Sequence, residues 1–349
     1  MVSHCGQFWI NRNRKAVIEF SLIIIHSFYE MTLRNWSSWV IFLKFKKKAM
    51  NRIFYVVLVT IVLQSCGRKA LLNKPDFSAP QERTGMKLVW NDEFNTARAP
   101  DTKFWKHEKG FVRNNELQWY QPDNASCKNG VLLIEAKRTD LPNPNFIADS
   151  QNWTKNRPKI TFTSTSINTR GNKEWLFGTF IIRAKIDTTL GSWPAIWTLG
   201  VKEPWPANGE IDIMEFYRTK TGSPIVLANF AWGTGKPHVA KWNDKRVPLS
   251  HFTEKNKDWV NQFHIWRMDW DENSIKLYLD DELMNETSLT ETVNPVGKNP
   301  FMQPHYFLLN LAIGGDNGGQ PHESTQSIKY EVDYVRVYQK VDALTKNEK

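Results

Sequence analysis

Between residues 86 and 340 the chain alternates apolar and polar positions in short runs separated by turn residues. Phe180–Ile186 (FIIRAKI) and Ile275–Leu279 (IKLYL) alternate with the period of two that a half-buried strand requires. Similar runs predict strands at Lys87–Trp90, Val131–Ala136, Gly178–Ile186, Ile196–Leu199, Glu210–Tyr217, Ile225–Trp232, His264–Trp270, Tyr306–Ala312 and Tyr330–Tyr338. Asp269–Ser274 and Asp280–Glu282 carry the residues of hairpin turns on either side of IKLYL. Sustained helical periodicity is missing and no internal repeat recurs, so the pattern predicts an all-β sandwich of about 250 residues in a single domain. Two stretches interrupt it: Thr139–Ile160, rich in Pro and Asn, and Gly233–Asp258, basic and polar around Trp242. Both are expected as long loops on the rigid frame, where binding groups commonly reside.

One strand departs from the pattern in its chemistry. Gly209–Phe216 (GEIDIMEF) places three carboxylates in a β-prone apolar run. In a regular strand Glu210 and Asp212 share one face, Ile211 and Ile213 take the other, and Glu215 falls on the wrong side. One extra residue at Ile213–Met214, a β-bulge, returns Glu215 to the face of the other two. Three acids in a row are too many for a packed core unless they do chemistry. Two carboxylates flanking a scissile bond are the working parts of a glycosidase. On that reading Glu210 is the nucleophile, Glu215 the general acid/base, and Asp212 shares a proton with Glu210 so that the carboxylates ionise differently.

Composition adds a substrate class and removes a partner class. Sixteen tryptophans exceed what a core of this size needs, and indole faces are natural platforms for sugar rings. The net charge of +10 over 349 residues is concentrated at the N-terminus, where residues 1–66 hold nine Lys/Arg against two acids. The remainder is close to neutral and offers no nucleic-acid footprint. Ile53–Leu63 is an apolar run of signal-peptide length preceded by Lys46–Lys48 and Arg52, too short for a comfortable span. It ends in Leu63-Gln64-Ser65-Cys66, which resembles a bacterial lipobox with Cys66 as the lipidated residue. The expected organisation is an extension at 1–49, a start at Met50, a signal peptide at 50–65, a tether at 66–85, a catalytic domain at 86–340 and a tail at 341–349. Such a chain would sit on the cell envelope, held to a membrane by lipid, and is expected to be a monomer. Cys5 lies in the extension and Cys66 carries lipid, which leaves Cys127 alone and no disulfide framework.

The signature Glu210-Ile211-Asp212-Ile213-Met214-Glu215 resembles that of glycoside hydrolase family 16, and other segments agree in order and spacing. They are Asn115–Tyr120 (NELQWY), Gly178–Lys185 (GTFIIRAK), Gly191–Trp197 (GSWPAIW), Phe263–Trp266 (FHIW) and Glu331–Tyr338 (EVDYVRVY). The resemblance covers roughly residues 86–340. It implies a concanavalin-like jelly-roll sandwich with a concave cleft, and retaining hydrolysis of a β-linked polysaccharide. It further implies that Glu210, Asp212 and Glu215 are catalytic and that Trp193 stacks on the sugar at the cleavage point. Asn115, Glu116 and Arg183 would contact sugar hydroxyls, His264 and Trp266 would lie at the cleft edge, and Trp197 is expected in the core. Some members hold a structural calcium, for which Glu93, Gly130 and Asp333 occupy the ligand positions. No cofactor is needed for the chemistry, and no nucleotide, haem or redox motif is present. The Gly-rich run 314–319 lacks the Lys-Ser/Thr of a phosphate loop. The bulged signature is similar to laminarinases and β-agarases, and Trp205–Gly209 with Gly314–Gly319 is most like β-1,3-glucanases. Hydrolysis of β-1,3-glucan or mixed-linkage glucan is therefore expected. A β-galactan hydrolase is one alternative, because Leu227–Gly233 lacks the histidine that laminarinases often carry there, and a non-catalytic glycan-binding protein is another, because lectins share this sandwich architecture.

Overall fold

The computed structural model describes residues 72–341, all within one compact unit. The expected start at Met50, the signal peptide, Cys66 and the tail beyond Val341 lie outside the described residues. Seventeen strands follow in chain order. They are β1 (Met86–Asp92), β2 (Lys106–His107), β3 (Gln118–Tyr120), β4 (Ala125–Lys128), β5 (Val131–Pro142), β6 (Lys159–Ser164), β7 (Ser166–Asn168) and β8 (Gly178–Ile186). Then come β9 (Ser192–Gly200), β10 (Glu210–Arg218), β11 (Pro224–Gly233), β12 (Ala240–Pro248), β13 (His264–Trp270), β14 (Ser274–Leu279), β15 (Glu282–Ser288), β16 (His305–Ile313) and β17 (Ser327–Lys340).

These strands form two sheets. The first has ten strands, in the order β15-β14-β13-β8-β17-β5-β6-β3, with β1 paired to β17 and β4 to β5. The second has seven, in the order β12-β11-β10-β9-β16-β7-β2. Alternation along each strand sends one set of side chains between the sheets. Ile182, Ala184, Val335 and Val337 from the first sheet join Ile211, Phe216, Phe307 and Leu309 from the second in a continuous apolar layer. The other face of the second sheet is left for chemistry. The architecture is the jelly-roll sandwich expected. One expected loop is in part a strand: β12 lies inside 233–258 and forms the edge of the second sheet. Its exposed, basic composition reads as a loop, but it is what an edge strand carries. Likewise β5 runs on to Pro142, into the other expected loop.

The first sheet's outer face corrects several expectations. Part of the expected tether is docked there. Lys74 O accepts from Arg183 Nη1 (2.9 Å), Ser78 O accepts from Arg336 Nη2 (3.1 Å), and the Asp76 amide donates to Asp333 Oδ2 (3.0 Å). Buried arginines need acceptors, and this segment supplies them. Arg183 is therefore not a sugar contact: it pairs with Asp333 at 2.5 Å and packs over Phe263. His264 and Trp266 are structural as well. His264 is buried, stacks on Trp259 and bonds Asp280 Oδ2 (2.6 Å) and Trp259 O (2.8 Å). Trp266 is a core residue whose Nε1 points to Ala184 O.

The residues expected to hold calcium do share a depression of about 200 Å³, yet they do not fit a dication. Arg336 grips both oxygens of Glu93, Arg183 takes Asp333, and the Phe77 ring lies against Gly130. Two guanidinium charges already neutralise the carboxylates that a metal would need. Among the described residues, no group of three or more His, Cys, Asp or Glu side chains is placed to hold a metal ion. Cys127, the one cysteine described, is unpaired and buried, which pushes its thiol up to about 11.

Candidate active site

The bulge decides which face the acids occupy. Asp212 pairs with Asn229 and Glu215 with Leu227, so three steps on β10 meet two on β11. The same slip separates Asp212↔Trp197 from Met214↔Ile196 on the β9 side. Ile211, Ile213, Met214 and Phe216 all enter the core, and Glu210, Asp212 and Glu215 emerge together on the outer face. Regular alternation would have driven Glu215 into the apolar layer.

Each carboxylate has its own surroundings. Glu210 Oε2 accepts from Trp205 Nε1 at 2.5 Å. Glu215 Oε1 accepts from Trp193 Nε1 at 2.9 Å, and its Oε2 from Asn229 Nδ2 at 3.1 Å. The Asn229 amide also reaches Asp212 Oδ2 at 3.3 Å. Asp212 is almost wholly buried between the other two. Burial raises its pKa well above the usual value and the charges of Glu210 and Glu215 push it further, which favours the protonated form that donates a hydrogen bond to Glu210. Glu210 is also raised by burial, but Trp205, the Asp212 hydrogen bond and the Arg113 charge all favour its ionised form. Burial lifts Glu215 to about 7; Trp193 and Asn229 lower it, while the Glu210 and Glu116 charges raise it. The three carboxyls on this strand therefore hold their protons unequally.

A cleft of about 580 Å³ surrounds them. On the β9–β16 side its floor is Trp197, Leu199, Tyr306 and Leu308, with the Arg113 guanidinium 5.2 Å from the Trp197 ring. Arg113 is held by Glu108, which Ser166 Oγ also bonds. Trp193 stands beside Glu215 with Tyr217 edge-on at 5.5 Å. On the other side β12 contributes Trp242, Asp244 and Arg246. Asn114, not Asn115, reaches the cleft; Asn115 donates to Asp316 Oδ1 at 3.0 Å. Glu116 is buried beneath, bonded by Gln118 Nε2 and raised to about 7 by that burial. These two expected sugar contacts therefore support the cleft without lining it. Trp197, expected in the core, lines the cleft and donates to Asn310 Oδ1 at 2.7 Å. Sequence reasoning missed Trp205, Tyr217, Arg113 and Tyr306. The alternation of Trp193 with Trp197 on β9 could have found Trp197, since both share the face of Asp212 and Glu215.

Comparison with known proteins agrees with this geometry. The profile of glycosyl hydrolases family 16 matches residues 114–336. A β-glucanase of Rhodothermus marinus is 30% identical over 315 residues, covering 85% of this chain and 97% of the relative. A solved structure described with endo-acting O-glycanases of the human gut microbiota that initiate mucin breakdown aligns with a TM-score of 0.68. It shares 33% identity and covers 78% of this chain and 97% of its own. The laminarinase catalytic domain of Thermotoga maritima aligns with a TM-score of 0.59 and 30% identity, covering 73% and 98%.

Proposed function

This chain belongs to glycosyl hydrolases family 16, and we propose that it is an endo-acting, retaining hydrolase of a β-linked polysaccharide, with β-1,3-glucan or mixed-linkage β-glucan as substrate. The observation that carries the reading is the bulged strand with its unequal carboxylates. Polysaccharide lies across the second sheet. Glu215, whose pKa burial lifts to about 7, gives its proton to the departing glycosidic oxygen. Glu210, whose ionised form is favoured by Trp205, the Asp212 hydrogen bond and the Arg113 charge, attacks the anomeric carbon and forms a covalent glycosyl-enzyme. Glu215, now ionised, takes a proton from water, which releases the sugar with retained configuration. Retention requires the two carboxyls about 5–5.5 Å apart. Trp193 holds Glu215 and lines the cleft, while Trp197 and Tyr306 extend the apolar floor.

A second reading is hydrolysis of a host O-glycan. It is supported by the higher identity and TM-score towards the gut O-glycanase structure than towards the T. maritima laminarinase. The test is to incubate the protein and its Glu210→Gln variant with laminarin, mixed-linkage β-glucan, agarose and gastric mucin, and to chromatograph the products. Oligosaccharides from a glucan with the wild type only support the first reading. Oligosaccharides from mucin alone keep the mechanism and replace the substrate. Hydrolysis by Glu210→Gln equal to that of the wild type overturns the mechanism.

A further inference from the structure

The edge strand β12 has no part in the chemistry, yet its cleft face is built from groups that serve no packing purpose. Register places Trp242 beside Ala231 and Glu210, Asp244 beside Asn229 and Asp212, and Arg246 beside Leu227 and Glu215. Strands in a sheet lie about 4.7–4.9 Å apart, so this stripe is about 10 Å from the catalytic strand. The odd residues turn the other way. Lys241 lies over Trp232, and Asn243 donates to Glu286 O of β15 at 3.2 Å, which ties the strand to the first sheet. The even residues are left to face the cleft.

Trp242 is 45% exposed, a large indole on an edge strand that Lys241 and Lys245 already keep soluble. Asp244 and Arg246 form an exposed ion pair at 2.8 Å, of the kind that adds little to stability. Tyr217 continues the surface from Trp193 toward this pair. An indole face beside one carboxylate and one guanidinium matches a pyranose: apolar ring face on the indole, hydroxyls donating to Asp244 and accepting from Arg246. The two charges cancel, so the stripe offers no unpaired cation to a sulfate or carboxylate substituent.

We infer that β12 is a subsite for an uncharged sugar ring, two strand spacings from the catalytic strand, with Trp242 as platform and Asp244 and Arg246 as acceptor and donor. The inference rests on the hydrolase reading above and deepens it: the enzyme gains from chain length beyond the rings held at β10, as an endo-acting enzyme does.

The test compares kcat/KM on laminaritriose and laminariheptaose for the full chain, Trp242→Ala and Trp242→Phe, with thermal melts to verify folding. In Trp242→Ala the heptaose-to-triose ratio falls about tenfold, and Trp242→Phe restores part of it. A ratio equal to that of the wild type in a folded Trp242→Ala overturns the subsite and leaves the hydrolase reading intact. Should Trp242→Ala not fold, the same ratio in Arg246→Ala decides. Failure of the wild type to cleave either oligosaccharide sinks the β-1,3-glucan reading and the subsite with it. Binding of sulfated laminarin by Glu210→Gln, measured by calorimetry, is no tighter than that of laminarin. Tighter binding that disappears on adding Arg246→Ala overturns the assignment to an uncharged ring.

Discussion

At the scale of the residue, three acids on one strand work only because their neighbours differ. Glu215 must be protonated to act, and burial sets its pKa at about 7, so the basic limb of kcat/KM falls as pH rises through about 7. Trp193 Nε1 favours the ionised form of Glu215. Trp193→Phe removes that donor, and the basic limb moves to higher pH; a limb that moves lower contradicts the assignment. Glu215→Gln lowers hydrolysis of polysaccharide by about 10²–10⁴, and by less on aryl glycosides whose leaving group needs no proton. The same proton affects stability. The folded pKa of Glu215 lies above its unfolded value, so the stability tied to its protonation is complete below about 4.5 and lost as pH rises through about 7. Glu215→Gln is uncharged throughout. Its melting temperature relative to the wild type therefore climbs between about pH 5 and pH 8, which differential scanning fluorimetry can follow.

At the scale of the element, the bulge and the loop before it place the chemistry. Gly209 has φ +78, and a β-carbon there would stand 2.8 Å from Pro300 Cβ. It connects the Trp205 loop to Glu210, and its amide donates to Pro206 O at 3.1 Å. Gly209→Ala costs about 1–3 kcal/mol through backbone strain and that contact, and displaces Trp205 from Glu210. The expected result is a lower melting point together with a kcat loss larger than any change in KM. Deleting Met214 removes the extra residue, so regular alternation keeps Glu215 on the face of Glu210 and Asp212 and hydrolysis persists at reduced kcat; complete loss of activity in folded protein would show that the bulge sets more than the choice of face.

At the scale of the whole molecule, the segment before β1 belongs to the fold. Its carbonyls satisfy Arg183 and Arg336, whose guanidinium groups also hold Asp333 and Glu93. A chain beginning at Met86 loses those acceptors, and its melting temperature falls by several degrees relative to one beginning at Gly67. Because the arginines occupy the expected calcium ligands, EDTA and millimolar calcium give superimposable melts; a rise with calcium would show the pairs opening to admit the ion. The lipobox reading of Cys66 is a separate proposal. It anticipates incorporation of radiolabelled palmitate in a bacterial host, absent in Cys66→Ala.

How far the chain could be read ahead follows from the range of the forces involved. Alternation, turn chemistry and the spacing of Glu210, Asp212 and Glu215 are local, and steric rules of the strand convert them directly into a β-fold with a bulge. That much the amino-acid order determined by itself. Which aromatic residues face the cleft depended on strand partners far apart in sequence. Trp197 reads as core until β16 and Arg113 arrive beside it, and β12 reads as loop until β11 pairs with it. Arg183, His264 and Trp266 sit in segments that resemble a family motif, yet they lie in the first sheet, away from the cleft. Only tertiary structure could assign them, because a strand's pattern says which residues share a face but not what that face meets.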